Sequence, residues 1–317
     1  MDHAAHAATL WAGFAGLIAA LMALDLGILH KNSHIVGIRE SLLYSAGYAL
    51  IGAAFGGWVW YEMGREAAAL YWTGFIVEKT LSIDNIFAIS LVFSALAIPR
   101  KHQYRVLLWG ITGAILLRGA MIGLGARAVA DFHWVLYLFS AFLIFTGVNM
   151  LFAEEEAEEV PKHKVLHFCR KYMRVTERLH DEKFAVRLDG RFWFTPLMLA
   201  LVVVNVVDVI FAVDSVPAIL AITTDVYIVL TSNIFAILGL RALYFALDAM
   251  LHRFEYLKYA LAAVLVFIGG KIFAVDFLLH RPFPPLLSLV ITVSILALGV
   301  LYSLYQTRHH PHKETKP

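Results

Sequence analysis

The chain has 317 residues, 60% of them hydrophobic and only 16% charged, with a formal net charge of +2. A soluble domain carries about a quarter charged residues, so this composition excludes an ordinary soluble globule, and the small net charge excludes a nucleic-acid binder. The apolar residues run in long blocks near the ~20 residues of a spanning helix, not in the alternating ~10-residue segments of a membrane barrel.

An all-α membrane protein is predicted. Nine spans are expected at 9–29, 41–61, 70–98, 105–127, 133–152, 193–222, 226–251, 257–278 and 285–305. The opening MDHAAHAATLWAGF places no basic segment before the first apolar block, so that block is expected to be a retained helix and not a cleaved signal. Residues 1–69 hold two helices, and 70–152 a group of three. A loop follows at 153–192, a second group of three at 193–278, and a last helix with its tail at 279–317.

Basic residues orient the chain. Numbering the non-membrane segments alternately, one side holds nineteen Lys and Arg, nine of them in loop 153–192, and the other side three. By the positive-inside rule the N-terminus is outside, and the long loop and C-terminus are cytoplasmic. In that loop EEEAEE (154–159) reads as a solvated start. VLHFCRKYMRVTERL (165–179) could form a basic amphipathic helix on the membrane surface, and RFWFTP (191–196) supplies interfacial aromatics with a proline suited to a first helical turn. Cys169 is the only cysteine, which rules out an internal disulfide and any CxxC redox pair.

Self-comparison uncovers a repeat. EKTLSIDNIFAI (78–89) overlays DVIFAVDSVPAI (208–219), matching Glu78 with Asp208, Asp84 with Asp214 and Asn85 with Ser215. GITGAILLRGA around Arg118 overlays NIFAILGLRAL around Arg241, and FLIFTGVNM (142–150) overlays VLVFIGGKI (264–272). Each unit has three spans, so two inverted three-helix repeats are predicted, about 70–152 and 193–278. Inverted repeats mark secondary transporters with a midplane substrate site.

A charge at the centre of a span costs about 2.5–3.5 kcal/mol on insertion scales, and is tolerated where it faces a wet cavity, a partner or a bound ion. Asp25, Glu78, Asp84, Asp208 and Asp214 are the acidic set. Glu78 and Asn85, seven residues apart, share one helix face, with Asp84 about 100° round. Asp208, Asp214 and Ser215 reproduce that spacing, and Pro217 is expected to free the carbonyl of Val213. With the Asn85 amide, the Ser215 hydroxyl and Asn233 as further oxygen donors, the ligands are hard and favour Mg²⁺, Ca²⁺ or Mn²⁺ over Zn²⁺ or Cu⁺; ligand type does not choose among the three. Arg118 and Arg241 read as counter-charges or gating groups, and Lys79 and Lys271 as snorkelling or paired cations. Asp248 and Asp276 fall near span ends, and glycines such as Gly110, Gly113, Gly147 and Gly269 read as close helix contacts. No Ser–His–acid spacing, HExxH or phosphate loop suggests an enzyme.

VEKTLSIDNIFAI, DVIFAVDSVPAI and TSNIFAILGLRALYF closely resemble the paired signatures of the TerC family of bacterial membrane proteins, and within it the alkali-inducible Alx branch. The resemblance runs from about Asp25 to Lys271. It implies an inner-membrane exporter of Mn²⁺, without a prosthetic group, whose metal path uses Asp25, Glu78, Asp84, Asn85, Asp208, Asp214 and Ser215. Protons are a chemically reasonable counter-ion, because the same carboxylates would titrate as metal leaves. Older descriptions of the family invoke tellurium resistance and redox modulation, which leaves a non-transporting stress-response scaffold as the rival expectation. One departure stands out: Asn205 and Val207 occupy positions where the branch usually has an acid and a small polar residue.

Overall fold

The computed structural model describes residues 2–24, 37–132, 134–152, 168–169, 173–176, 178–188, 190–247, 257–279 and 283–309; within these, the side chains of 2–7, Asp84, Phe87, Arg241, Leu247, 278–279 and 307–309 are not described. Asp25, the acidic run 154–159, Asp248, His310 and His312 lie outside the described residues.

Helix α1 (Asp2–Leu24) is followed by α2 (Ile38–Ala95), α3 (Arg100–Asp131) and α4 (Trp134–Phe152). After the loop come α5 (Pro196–Ile222), α6 (Val226–Leu238), α7 (Leu240–Leu247), α8 (Leu257–Phe273) with a π-helical extension Ala274–Leu279, and α9 (Pro285–His309). Among the described residues five helices are long and apolar enough to cross a membrane: α3, α4, α5, α8 with its extension, and α9. Their outward faces carry Leu116, Leu124, Phe145, Leu298 and Leu301, all strongly exposed. On a soluble protein such a surface would drive aggregation, whereas acyl chains solvate it.

The 58 residues of α2 are two helices, not one. Gly64 has φ 89° and ψ 176°, a conformation only glycine adopts readily, and it interrupts the helical dihedrals. On either side of it the chain packs against itself. A Cβ on Gly52 would meet the Phe75 ring, one on Gly56 would meet Trp72, and the Tyr71 hydroxyl donates to the Gly52 carbonyl. Pairs 52/75 and 56/72 are centred on residue 64, so the halves 38–63 and 65–95 form an antiparallel hairpin.

The other pairings follow small residues. On α3 and α5, which run parallel, Gly110 abuts Val204, Gly113 abuts the Asn205 amide, and Gly125 abuts Leu220. The second half of α2 runs parallel to α6, with Gly74 against the Ser232 hydroxyl and the Lys79 ammonium donating to the Ala236 carbonyl at 3.2 Å. Helices α4 and α8 are antiparallel: a Cβ on Gly147 would lie 2.7 Å from the Ala262 carbonyl oxygen, and one on Gly269 would lie 2.6 Å from that of Ser140. Only glycine permits that backbone approach at both ends of one crossing. Helix α9 covers α2 and α8.

The end of loop 153–192 differs from the surface helix considered for 165–179. Phe168 and Cys169 are helical, but the described residues from Met173 to Phe184 are not, and Val175 bridges to Phe194. Strands Ala185–Leu188 and Arg191–Phe194 form a small antiparallel hairpin. Arg105 of α3 ties it down through Glu182 at 2.8 Å and the face of Phe184. Thr195 then begins α5 with Pro196 at its first position, where a missing N–H is harmless.

Candidate functional site

Arg118 is the largest fully buried side chain in the described structure. It reaches the centre of the bundle because α3 packs its small residues Gly110, Ala114 and Gly125 against α5, leaving room for one long side chain between them. Its guanidinium fork is fully engaged. Nε and Nη2 donate to the two oxygens of Asp208 at 3.1 and 2.8 Å, and Nη1 donates to Glu78 Oε1 and to Ser215 Oγ at 3.1 Å. The bidentate grip on Asp208 is the geometry in which arginine binds carboxylates most strongly.

The second half of α2 supplies Glu78 and Asn85, two turns apart on one face, and the Asn85 amide donates to Asp208 Oδ1 at 3.2 Å. Ser82, between them, donates weakly to Glu78 Oε1 at 3.5 Å. Helix α5 supplies Asp208 and Ser215 in the same seven-residue spacing. The paired motifs therefore meet through Arg118, with Glu78 and Asp208 on opposite sides of one guanidinium. With both carboxylates ionised, two negative charges share one positive charge. That imbalance in a buried site is costly, and a proton or a further cation removes it.

Asp214 stands apart. It lies about 100° round α5 from Ser215, and among the described residues only Thr146 of α4 reaches it, at 3.5 Å. The motif helix thus presents one carboxylate to the centre and a second to α4. Asp84 is on the second half of α2, and Arg241 is on α7; their side chains lie outside the described set. Lys79 caps the Ala236 carbonyl where α6 ends and Gly239 interrupts the path to α7. Lys271 is half-buried in the last turn of α8. Asp276, in the π-helical extension, accepts from the Tyr137 hydroxyl at 2.7 Å. The helix continues through Pro217, which is buried.

One cavity of about 20 Å³, room for a single water-sized occupant, adjoins the centre. Asp208 is its polar wall, and Leu107, Gly110, Ala114, Ile237 and Tyr244 are among its apolar ones. Among the described residues no group of three or more His, Cys, Asp or Glu is placed to hold a metal. The centre mixes carboxylate, amide and hydroxyl oxygens instead.

Two partners escaped the sequence reading, Ser82 and Thr146. Ser82 was accessible to it, lying four residues from Glu78 on the same face. Thr146 was not, because only the packing of α4 on α5 brings it near Asp214.

Comparison with known proteins places this architecture. The model of the Integral membrane protein TerC family matches residues 63–310. An uncharacterized membrane protein of Rickettsia felis is 42% identical over 302 residues, covering 95% of this chain and 99% of its own length. One of Myxococcus xanthus is also 42% identical over 302 residues, covering 95% and 94%. A protein of Escherichia coli named "Putative membrane-bound redox modulator Alx" is 40% identical over 310 residues, covering 95% and 96%. No solved structure matches the chain. The family match takes in every helix that builds the buried centre, from the second half of α2 to α8, and the chain belongs to the TerC family of integral membrane proteins.

Proposed function

We propose that this protein exports a hard divalent cation, Mn²⁺ foremost, across the bacterial inner membrane by alternating access between two inverted three-helix repeats. The observation that carries the reading is the meeting of Glu78 and Asp208, equivalent positions of the two motifs, on one buried arginine. Arg118 is a tethered cation in this state, and an incoming divalent ion competes with it for the same carboxylates. Asp84, Asn85, Asp214 and Ser215 supply the remaining oxygen ligands, with Asp25 on the path. Nine spans, an outside N-terminus and a cytoplasmic loop and C-terminus complete the topology, with protons as the counter-ion.

The packing supports a twofold relation. In repeat 1 the first helix lies parallel to α6, the second helix of repeat 2. In repeat 2 the first helix, α5, lies parallel to α3, the second helix of repeat 1. At the α4–α8 crossing, Gly147 meets Ala262, and its repeat mate Gly269 meets Ser140, the mate of Ala262. Such reciprocal contacts are the signature of a twofold interface.

The test is the manganese content of cells that lack their own exporters, under manganese load. Wild-type protein is expected to lower it, and Asp84→Asn/Asp214→Asn at equal membrane level is not. Equal content with both proteins, or no change with either, would overturn the proposed site or metal.

The rival reading is a scaffold or redox modulator, after the name of the Escherichia coli relative. Redox exchange needs a thiolate with access to a partner. Cys169 is the sole cysteine, buried in an apolar cluster, and burial pushes its thiol up from the ordinary range. Cys169→Ala is therefore expected to keep wild-type manganese export. A null phenotype for this variant at normal membrane level would favour the redox role.

A further inference from the structure

Asn233 is completely buried, yet among the described residues neither its amide nitrogen nor its carbonyl oxygen has a hydrogen-bond partner. Burying an unpaired amide is costly, and two orphaned atoms on one side chain call for an explanation. A second orphan is Glu78 Oε2, on the carboxylate whose other oxygen holds Arg118.

Two independent alignments put these orphans in one layer. Along α6, Val229, Asn233 and Ile237 succeed one another at four-residue spacing and form one face. Val229 shares an apolar cluster with Ile122 of α3, and Ile237 shares the cavity wall with Ala114 of α3. The helices are thus antiparallel, and Asn233 falls opposite the residue midway between 122 and 114, which is Arg118. On the other flank, Gly74 of α2 touches Ser232, and Lys79 reaches Ala236. Those contacts bracket Glu78 against the turn of α6 that carries Asn233.

The two motif carboxylates therefore have different surroundings. Asp208 opens onto the cavity walled by Gly110, which is the repeat mate of Asn233. Glu78 lies beside the α6 turn that carries Asn233, where its counterpart lines the cavity. Resting on the transport reading above, we infer that the Asn233 carboxamide is a direct oxygen ligand of the transported divalent cation, held together with Glu78 Oε2 on the α6 side of Arg118. A neutral amide oxygen beside a carboxylate suits a hard cation and adds no charge that would resist release.

The test uses full-length protein carrying Cys169→Ala, reconstituted in liposomes, with Mn²⁺ flux and its competition by Cd²⁺ as readouts. Asn233→Leu is expected to raise the KM for Mn²⁺ by about tenfold or more, the scale on which disturbed metal shells lose affinity. Asn233→Asp should lower it. Asn233→Cys should move preference from Mn²⁺ toward Cd²⁺ by about tenfold, because a thiolate is a soft ligand; a packing role would not change ion preference. If Asn233→Leu fails to fold, the Asp and Cys variants carry the test. Flux through all variants with wild-type KM and wild-type Cd²⁺ competition overturns the inference alone. No divalent flux through the parent protein overturns the transport reading, and the inference with it.

Discussion

Arg118→Met is expected to destabilise the folded chain by about 3–5 kcal/mol, the range for removing one member of a buried ion cluster. The reason lies in what remains. Among the described residues, Glu78 and Asp208 would be left buried with only Ser82, Asn85 and Ser215 as neutral donors and with no counter-charge. Combining Arg118→Met with Glu78→Gln and Asp208→Asn should restore much of the loss, because replacing a whole buried ionic set by neutral groups is often close to neutral. The measurement is the denaturation midpoint in detergent micelles for wild type, single variant and triple variant. Wild-type stability of the single variant would show that the guanidinium is not the counter-charge. The triple variant is also expected to export no manganese, which separates the fold's need for neutralisation from the function's need for charge.

Gly147→Leu should be strongly damaging although it lies outside that centre. Its Cβ would meet the Ala262 carbonyl at 2.7 Å, and the side chains of Val266 and Leu265 close the space around it. A backbone atom cannot rotate away, so the loss should reach or exceed the about 1–3 kcal/mol typical of overpacking. Gly269→Leu meets Ser140 in the same way and should behave alike. As a control, Gly270→Leu meets nothing and should be tolerated. Thermal aggregation of the three variants in detergent reads the comparison. Equal tolerance at positions 147 and 270 would refute the close crossing of α4 and α8.

Much of this was legible in the residues. The apolar blocks set the helical membrane class because no other structure satisfies the backbone in a bilayer over ~20 residues. Seven-residue spacing placed Glu78 with Asn85, and Asp208 with Ser215, because two turns of helix return nearly to the same face. Pro196 marked the start of α5 for a similarly local reason. The close helix contacts expected at Gly110, Gly113, Gly147 and Gly269 are present, since small residues in apolar helices have few other uses.

Other features required partners distant in sequence. The turn at Gly64 falls between the expected spans 41–61 and 70–98, among Glu62, Arg65 and Glu66, but the pairing of Gly52 with Phe75 and of Gly56 with Trp72 across it is set by packing. Residues 174–176 leave the basic amphipathic helix expected at 165–179, because the Thr176 N–H donates to the Phe194 carbonyl and the Phe194 N–H donates to that of Arg174. Composition and periodicity thus determined by themselves that this is a helical membrane protein with acids and arginines in its spans, since those costs are paid locally, residue by residue. Which acid meets which arginine, that Asp214 turns to α4 while Asp208 grips Arg118, and that Asn233 lies unpaired at the same level were decided by tertiary structure alone, because packing between helices selects the side chains that share the one polar layer.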